Sequence, residues 1–253
     1  MTYRSDPDLN FLGTCTDADL IDLVHCLTVD KDGGSLLTET LTISDEYKEY
    51  KTMYSKYWKR IAEEIQLFGG NSFANLLRGG DGVLYKEILC DVCEKLNVNF
   101  NSSSDTELIE TYLFQKILKD AFSEMSDEEK KAFLRDFMEE NKYININNIT
   151  PQILNGVVQA AFKAGGFASY KMAVYIANMV WKKLFGTGLS LAANSTITKW
   201  LSVWAGPIGW TITGIWTAID IAGPAFRITI PVVIQVAMLR QKKLYEQIQL
   251  RQD

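Results

Sequence analysis

The stretch from Ser44 to Gly70 (SDEYKEYKTMYSKYWKRIAEEIQLFGG) carries the reading of the fold. Within it Tyr47, Tyr50, Tyr54, Trp58, Ile61, Ile65 and Phe68 recur at steps of three and four. On a helix of 3.6 residues per turn, such steps draw one apolar stripe. Ser44 is of the type that caps a helix start, and Gly69-Gly70 closes the pattern, as glycine often does. The spacing predicts one long amphipathic helix whose stripe must be buried against other helices.

Similar signals run outward in both directions. Thr16 with Asp19 has capping spacing and precedes Leu20, Leu23, Val24 and Leu27. Asn71 can cap a short helix that ends near Gly79-Gly80, and Asp81 the next, through Leu84, Ile88, Val92 and Leu96. Ser104 with Glu107 and Ser126 with Glu129 fit the capping box, in which side chains satisfy orphan amides reciprocally. Pro151, Pro207 and Pro224 each precede an apolar stretch and suit a first helical turn. Pro231 falls inside an apolar run and is expected to kink or restart a helix. The best strand signal, Tyr143 to Ile149 (YININNI), reads as an extended connection. The expected fold is an all-α multi-helix bundle with a central Gly/Trp-rich apolar helix pair.

Charge divides the chain of 253 residues unevenly. Residues 1–150 hold 16 Lys+Arg and 28 Asp+Glu, a net of −12, whereas residues 151–253 hold 10 and 3, a net of +7. Five of the six Trp fall at 181, 200, 204, 210 and 216. We therefore expect an acidic helical subdomain over 1–145, with a basic, apolar one over 146–253 packed on it. An acidic front half repels nucleic acid, which excludes that partner. The basic half can meet anionic lipid or neutralise the acidic half within the molecule. Met1 to Asn10 has neither a basic nor an apolar region of the secretory type, and four Cys make no disulfide scaffold. The expectation is a cytoplasmic protein, peripheral to the inner membrane if it meets lipid.

The residues that could carry chemistry are sparse. The single histidine, His25, has no G-x-S-x-G, H-E-x-x-H or P-loop beside it and reads as structural. Cys90 and Cys93 form a C-x-x-C inside a predicted helix rather than at its start, where the dipole would lower a thiol pKa. With Cys15 and Cys26 they read as buried thiols, not a zinc site, since no second C-x-x-C exists. Acidic pairs such as Asp6/Asp8, Asp17/Asp19 and Glu63/Glu64 read mainly as solvated surface. No catalytic residue, metal ligand or cofactor is expected. Between Phe68 and Tyr85, Gly69, Gly70, Gly79, Gly80 and Gly82 bracket a helix carrying Arg78. Glycines at helix starts can cradle an anion with backbone N–H groups, so Asn71, Arg78 and Gly80 are candidate contacts for a partner or ligand. Two tight connections explain the same glycines.

Trp200 to Ile219 gives 20 residues without charge between Lys199 and Asp220. As a helix it would span roughly 30 Å, the thickness of a bilayer core. A second run, Ile228 to Leu239, ends in Arg240, Lys242 and Lys243. The pair could form a hydrophobic hairpin. Ala205-Gly206-Pro207 interrupts the first arm, however, and the second is too short to span unaided. Burial in the core is the favoured reading. Trp200, Trp204, Trp210, Lys199, Arg240, Lys242 and Lys243 are candidate contacts for a membrane surface or a partner.

Three blocks resemble a known family: Asp8-Leu9-Asn10-Phe11-Leu12 with Cys15 and Leu20 to Thr28; IAEEIQLFGGNSFANLLRGGDGVLYKEILCDVCEKL; and AFRITIPVVIQVAMLR. They look like the YaaW-like family of uncharacterised bacterial proteins, which is loosely grouped with the ubiquinol–cytochrome c chaperones. The resemblance implies a helical bacterial protein of the cytoplasm with no assigned enzyme activity, and it supplies no catalytic residue. The expected function is non-enzymatic: a chaperone-like interaction or assembly protein for a protein partner, acting near the inner membrane. Two alternatives stand beside it. One is a membrane-perturbing, pore-forming-type effector that releases residues 200–239. The other is an enzyme or binder of a small phosphorylated ligand that uses Arg78.

Overall fold

A computed structural model describes residues 3–30, 34–36, 40–70, 82–138, 150–190 and 224–251. Among these residues the secondary structure is helical, apart from one isolated antiparallel bridge between Val29 and Ser35. The α-helices are α1 (Asp17–Thr28), α2 (Asp45–Tyr50), α3 (Trp58–Gly70), α4 (Tyr85–Lys95), α5 (Thr106–Glu124), α6 (Asp127–Met138), α7 (Pro151–Ala164), α8 (Gly166–Phe185) and α9 (Pro224–Gln249). Short 3-10 turns at Asn10–Thr14 and Tyr54–Tyr57 join them. The all-α expectation holds.

Several helix starts form as their sequences require. Thr16 and Asp19 complete a reciprocal capping box, with Thr16 N–H donating to Asp19 Oδ2 at 2.9 Å and Asp19 N–H to Thr16 Oγ1 at 3.2 Å. Ser126 and Glu129 make the same exchange at the start of α6. Ser44 caps α2, and Thr150 caps α7 ahead of Pro151. The Ser104–Glu107 box does not form: α5 starts at Thr106, and its capping position, Asp105, makes no side-chain cap bond.

The long helix expected from Ser44 is broken. Lys51 adopts a φ of 50° at the end of α2, and the chain turns before α3 begins. Contacts from outside the segment hold this break. Asp17 Oδ1, in the first turn of α1, accepts from Ser55 N–H at 2.8 Å, and the Tyr57 hydroxyl donates to Lys51 O at 2.6 Å. These bonds, together with the burial of Tyr57, outweigh the weak preference of an isolated helix to continue.

The centre of the molecule is a pair of apolar helices, α8 and α9. Every residue of α8 from Met172 to Trp181 is buried, and so is every residue of α9 from Thr229 to Leu239. The two helices pack on each other, and α9 also packs on α1, α3, α4 and α5. The second apolar run is thus a helix enclosed by its neighbours, as the core reading expected. The first arm, Trp200 to Ile219, lies outside the described residues, as do Tyr143 to Ile149 and Pro207. Pro231 neither ends nor restarts α9, which continues for 26 residues. Packing on all sides of its apolar neighbours supplies what the missing N–H withholds.

Candidate functional site

Polar and charged groups gather where the N-terminal segment, α1, α4, α5 and the second half of α9 meet. The Asp6 carboxylate is buried there and accepts Tyr85 N–H at 2.7 Å and Gln66 Nε2–H at 3.4 Å through Oδ2. Its Oδ1 accepts Asp8 N–H at 3.0 Å. Tyr85 is the first residue of α4, whose own capping position, Leu84, has no side-chain acceptor. Asp81, expected to cap this helix, lies outside the described residues; the first N–H of α4 is met from the N-terminal segment, by Asp6. Gln66 adds a reciprocal clamp on the strap residue Arg4, accepting its N–H at 3.2 Å and donating to its carbonyl at 2.9 Å.

Beside it lies a buried ionic cluster. Arg240 donates from Nε to Glu110 Oε2 and from Nη2 to Asp8 O, both at 2.8 Å. Its guanidinium carbon lies 4.6 Å from the Phe11 ring centroid and 5.7 Å from that of Tyr85. The Tyr85 hydroxyl is 2.7 Å from Glu110 Oε1. Burial raises Glu110 above the usual carboxylate range, opposed by the charge and hydrogen bond of Arg240 and by the Tyr85 hydroxyl. Desolvation works against the charged form of Arg240, but Glu110 more than offsets it and raises the arginine above its ordinary value.

A second cluster ties α9 to α1. Lys242 and Lys243 both pair with buried Asp19, Lys243 at 3.1 Å, and Glu246 bridges to Lys243 at 2.8 Å. Burial pushes the Asp19 pKa up, but the Lys242 hydrogen bond, the Thr16 backbone N–H and both lysine charges outweigh it and hold Asp19 below the usual range. Arg240, Lys242 and Lys243 are thus each paired with an acid of the front half, Glu110 or Asp19.

This corrects the reading of Asp6/Asp8, Asp17/Asp19 and Glu63/Glu64 as mainly solvated surface. Asp6, Asp19 and Glu64 are each about 1–2% exposed. Glu64 accepts from Thr40 N–H and Thr40 Oγ1–H at 2.8 Å each and pairs with Arg60 at 3.2 Å. A buried carboxylate is tolerable only when so supplied, and each of these has a donor far away in the chain: Tyr85 for Asp6, Lys242 for Asp19 and Thr40 for Glu64.

Of the candidate contact residues, Arg240, Lys242 and Lys243 join these clusters. Asn71, Arg78, Gly80, Lys199, Trp200, Trp204 and Trp210 lie outside the described residues. His25 packs on Trp181 and Phe185 at centroid distances of 5.2 and 4.8 Å, and burial lowers its pKa. Cys15, Cys26 and Cys93 are buried and Cys90 is half-buried. No group of three or more His, Cys, Asp or Glu among the described residues is placed to hold a metal ion. No described helix is long and apolar enough to cross a membrane.

Three clefts open around this region and run into one another at Glu107. The first, about 450 Å³, lies between Asp8 and Phe11, the start of α5, and α9 at Arg240 and Lys243. The second, about 470 Å³, follows α5 to α7, and the third, about 280 Å³, follows α8 and the end of α9. Exposed Leu108 and Ile248 line their walls. Sequence reasoning missed this groove, because its walls come from helices far apart in the chain.

The described residues thus form an all-α bundle with a polar cleft. Residues 53–234 match the family described as Ubiquinol-cytochrome C chaperone, and residues 3–37 match a domain of unknown function, DUF3944. The chain belongs to that family and to the UPF0174 proteins. It is 50% identical over 242 residues to a UPF0174 protein of Helicobacter pylori (strain J99 / ATCC 700824), covering 96% of this chain and 94% of the relative. A UPF0174 protein of Helicobacter pylori (strain ATCC 700392 / 26695) is 45% identical over 81% of this chain and 98% of its own length. The UPF0174 protein YaaW of Escherichia coli (strain K12) is 28% identical over 95% of this chain and 96% of its own. No solved structure matches.

Proposed function

We propose that the protein is a non-enzymatic, chaperone-like assembly factor that engages a protein client in the groove around Glu107, close to a membrane surface. The observation that carries this reading is the family match across residues 53–234, which takes in every helix from α3 to α8 and the apolar half of α9. The groove supports it with exposed apolar side chains, Leu108 and Ile248, set among the amides of Gln159 and Gln247. Such a mixed wall can hold a chain segment and release it again. The membrane part rests on the Trp- and Lys-bearing segment around Lys199, Trp200, Trp204 and Trp210.

The test is photo-crosslinking in living cells, with the reactive residue at Gln159 or Gln247 and, as control, at Glu49 on α2. A discrete protein adduct formed from the groove positions and not from Glu49 is the expected result. Equal or absent adducts at all three would overturn the client reading. Co-sedimentation with anionic and neutral liposomes tests the membrane part: salt-sensitive binding to anionic vesicles is expected, and a protein that stays in the supernatant removes it.

A further inference from the structure

We infer that the cleft between α5, α9 and the N-terminal segment is a binding site for a small zwitterion, a phosphate joined to a primary amine. This goes beyond the client reading and does not depend on it. The cleft holds about 450 Å³, within the usual range of small-molecule sites. Its charges are unevenly spread. Lys86, Arg240 and Lys243 line this cleft and neither of its neighbours, as does one acid, half-buried Asp8, so this group marks an inner end where cations outnumber carboxylates. Asp105 and Glu107 also line the adjoining cleft, so they mark the mouth.

The inner end is built rather than incidental. Arg240 is fixed through Nε and Nη2 by Glu110 and Asp8 and is stacked on Phe11, and Nη1 makes no hydrogen bond among the described residues. Lys243 spends two contacts on Asp19 and Glu246, and an ammonium has three donors. Lys86 is half-buried and has no ion-pair partner among the described residues. Three cations against the one carboxylate of Asp8 leave that end suited to a phosphate, and a preorganised guanidinium binds its oxygens at little entropic cost. At the mouth, Asp105 and Glu107 are exposed, and neither side chain is paired among the described residues. A simple anion would be repelled there, whereas an ammonium attached to the phosphate would be held. That mixture of signs separates a zwitterion from inorganic phosphate.

The chemistry can come from a free amino-phosphate or from the headgroup of an ethanolamine phospholipid, and the experiment distinguishes them. Isothermal titration of the full chain uses O-phosphoethanolamine, with inorganic phosphate and ethanolamine as separate controls. Saturable binding of phosphoethanolamine, tighter than either control, is expected. Lys86→Met and Glu107→Gln each weaken it at least about tenfold, the size of one lost charge-assisted contact. Both residues lie outside the buried ion pairs, so the melting temperature without ligand should stay unchanged. Flotation with phosphatidylcholine vesicles, with or without phosphatidylethanolamine, supplies the second arm. Preference for the ethanolamine lipid, lost in both variants, assigns the headgroup; soluble binding without that preference assigns a free molecule. Phosphate binding as tightly as phosphoethanolamine, or indifference to Glu107→Gln, would overturn the proposal. So would the absence of binding in both arms.

Discussion

Arg240 Nε lies 2.8 Å from Glu110 Oε2, joining the last helix to α5 across 130 positions of the chain. The glutamate is fully buried and the arginine nearly so, which makes the pair asymmetric in its consequences. Replacing a buried pair by apolar groups can be close to neutral, whereas removing one partner strands a charge. Arg240→Met alone should destabilise the protein by about 3–5 kcal/mol in urea unfolding. The double variant Arg240→Met/Glu110→Leu should recover a good part of that loss. A double variant as unstable as the sum of its singles would show that the two residues act independently.

Acid stability should follow Asp19. Its folded pKa is depressed, so its contribution is complete above the unfolded value, about 4, and is lost as pH falls from there through the folded value. Glu110 has the opposite sign: its raised pKa means that protonation on acidification favours the folded state. The melting temperature should therefore hold or rise slightly on mild acidification and drop below about pH 4. Asp19→Asn should lower it at neutral pH and flatten the acid limb. An unchanged acid limb in that variant would place the sensitivity elsewhere.

The four thiols should differ sharply in reactivity. Burial pushes Cys15 and Cys93 up to about 12 and Cys26 well above its usual value, whereas Cys90 is half-buried and less shifted. The thiolate is the reactive form, so Cys90 alone should react with Ellman's reagent in the native protein at mildly alkaline pH. Cys90→Ser should abolish that phase, and denaturant should expose the rest.

Two glycines should respond oppositely to alanine. A Cβ at Gly13 would lie 2.9 Å from Trp58 Cε2, part of a rigid indole whose ring also meets Tyr3 edge-on. Gly13→Ala should cost about 1–3 kcal/mol through overpacking. Gly156, inside α7, has nothing within 4 Å of that position. Gly156→Ala should add roughly 0.5–1 kcal/mol by restricting the unfolded chain. Thermal unfolding of the pair against the parent checks both signs.

The stripe that opens at Ser44 shows how far local pattern reaches. Its apolar residues do face the core, yet Lys51 breaks the helix because Asp17 claims Ser55 N–H from a different helix. Nothing within Ser44 to Gly70 records that acceptor. Pro231 shows the converse: a helix breaker by local rules persists inside α9 because its neighbours are enclosed on every side. The groove around Glu107 was illegible for the same reason, as was the role of Asp6 at the start of α4.

The sequence by itself determined the helical class, the capping boxes at Thr16 and Ser126, the proline start of α7 and the apolarity of Ile228 to Leu239. Each of these depends on a single residue, a contiguous run or residues three or four apart, whose proximity follows from helix geometry alone. Only the tertiary structure decided that Asp19, Glu110 and Asp6 are buried and partnered rather than solvated. Lys242 meets Asp19 across 223 positions, and Tyr85 meets Asp6 across 79. A charged residue reads the same in sequence whether water or a distant cation answers it. The difference is the desolvation that packing imposes.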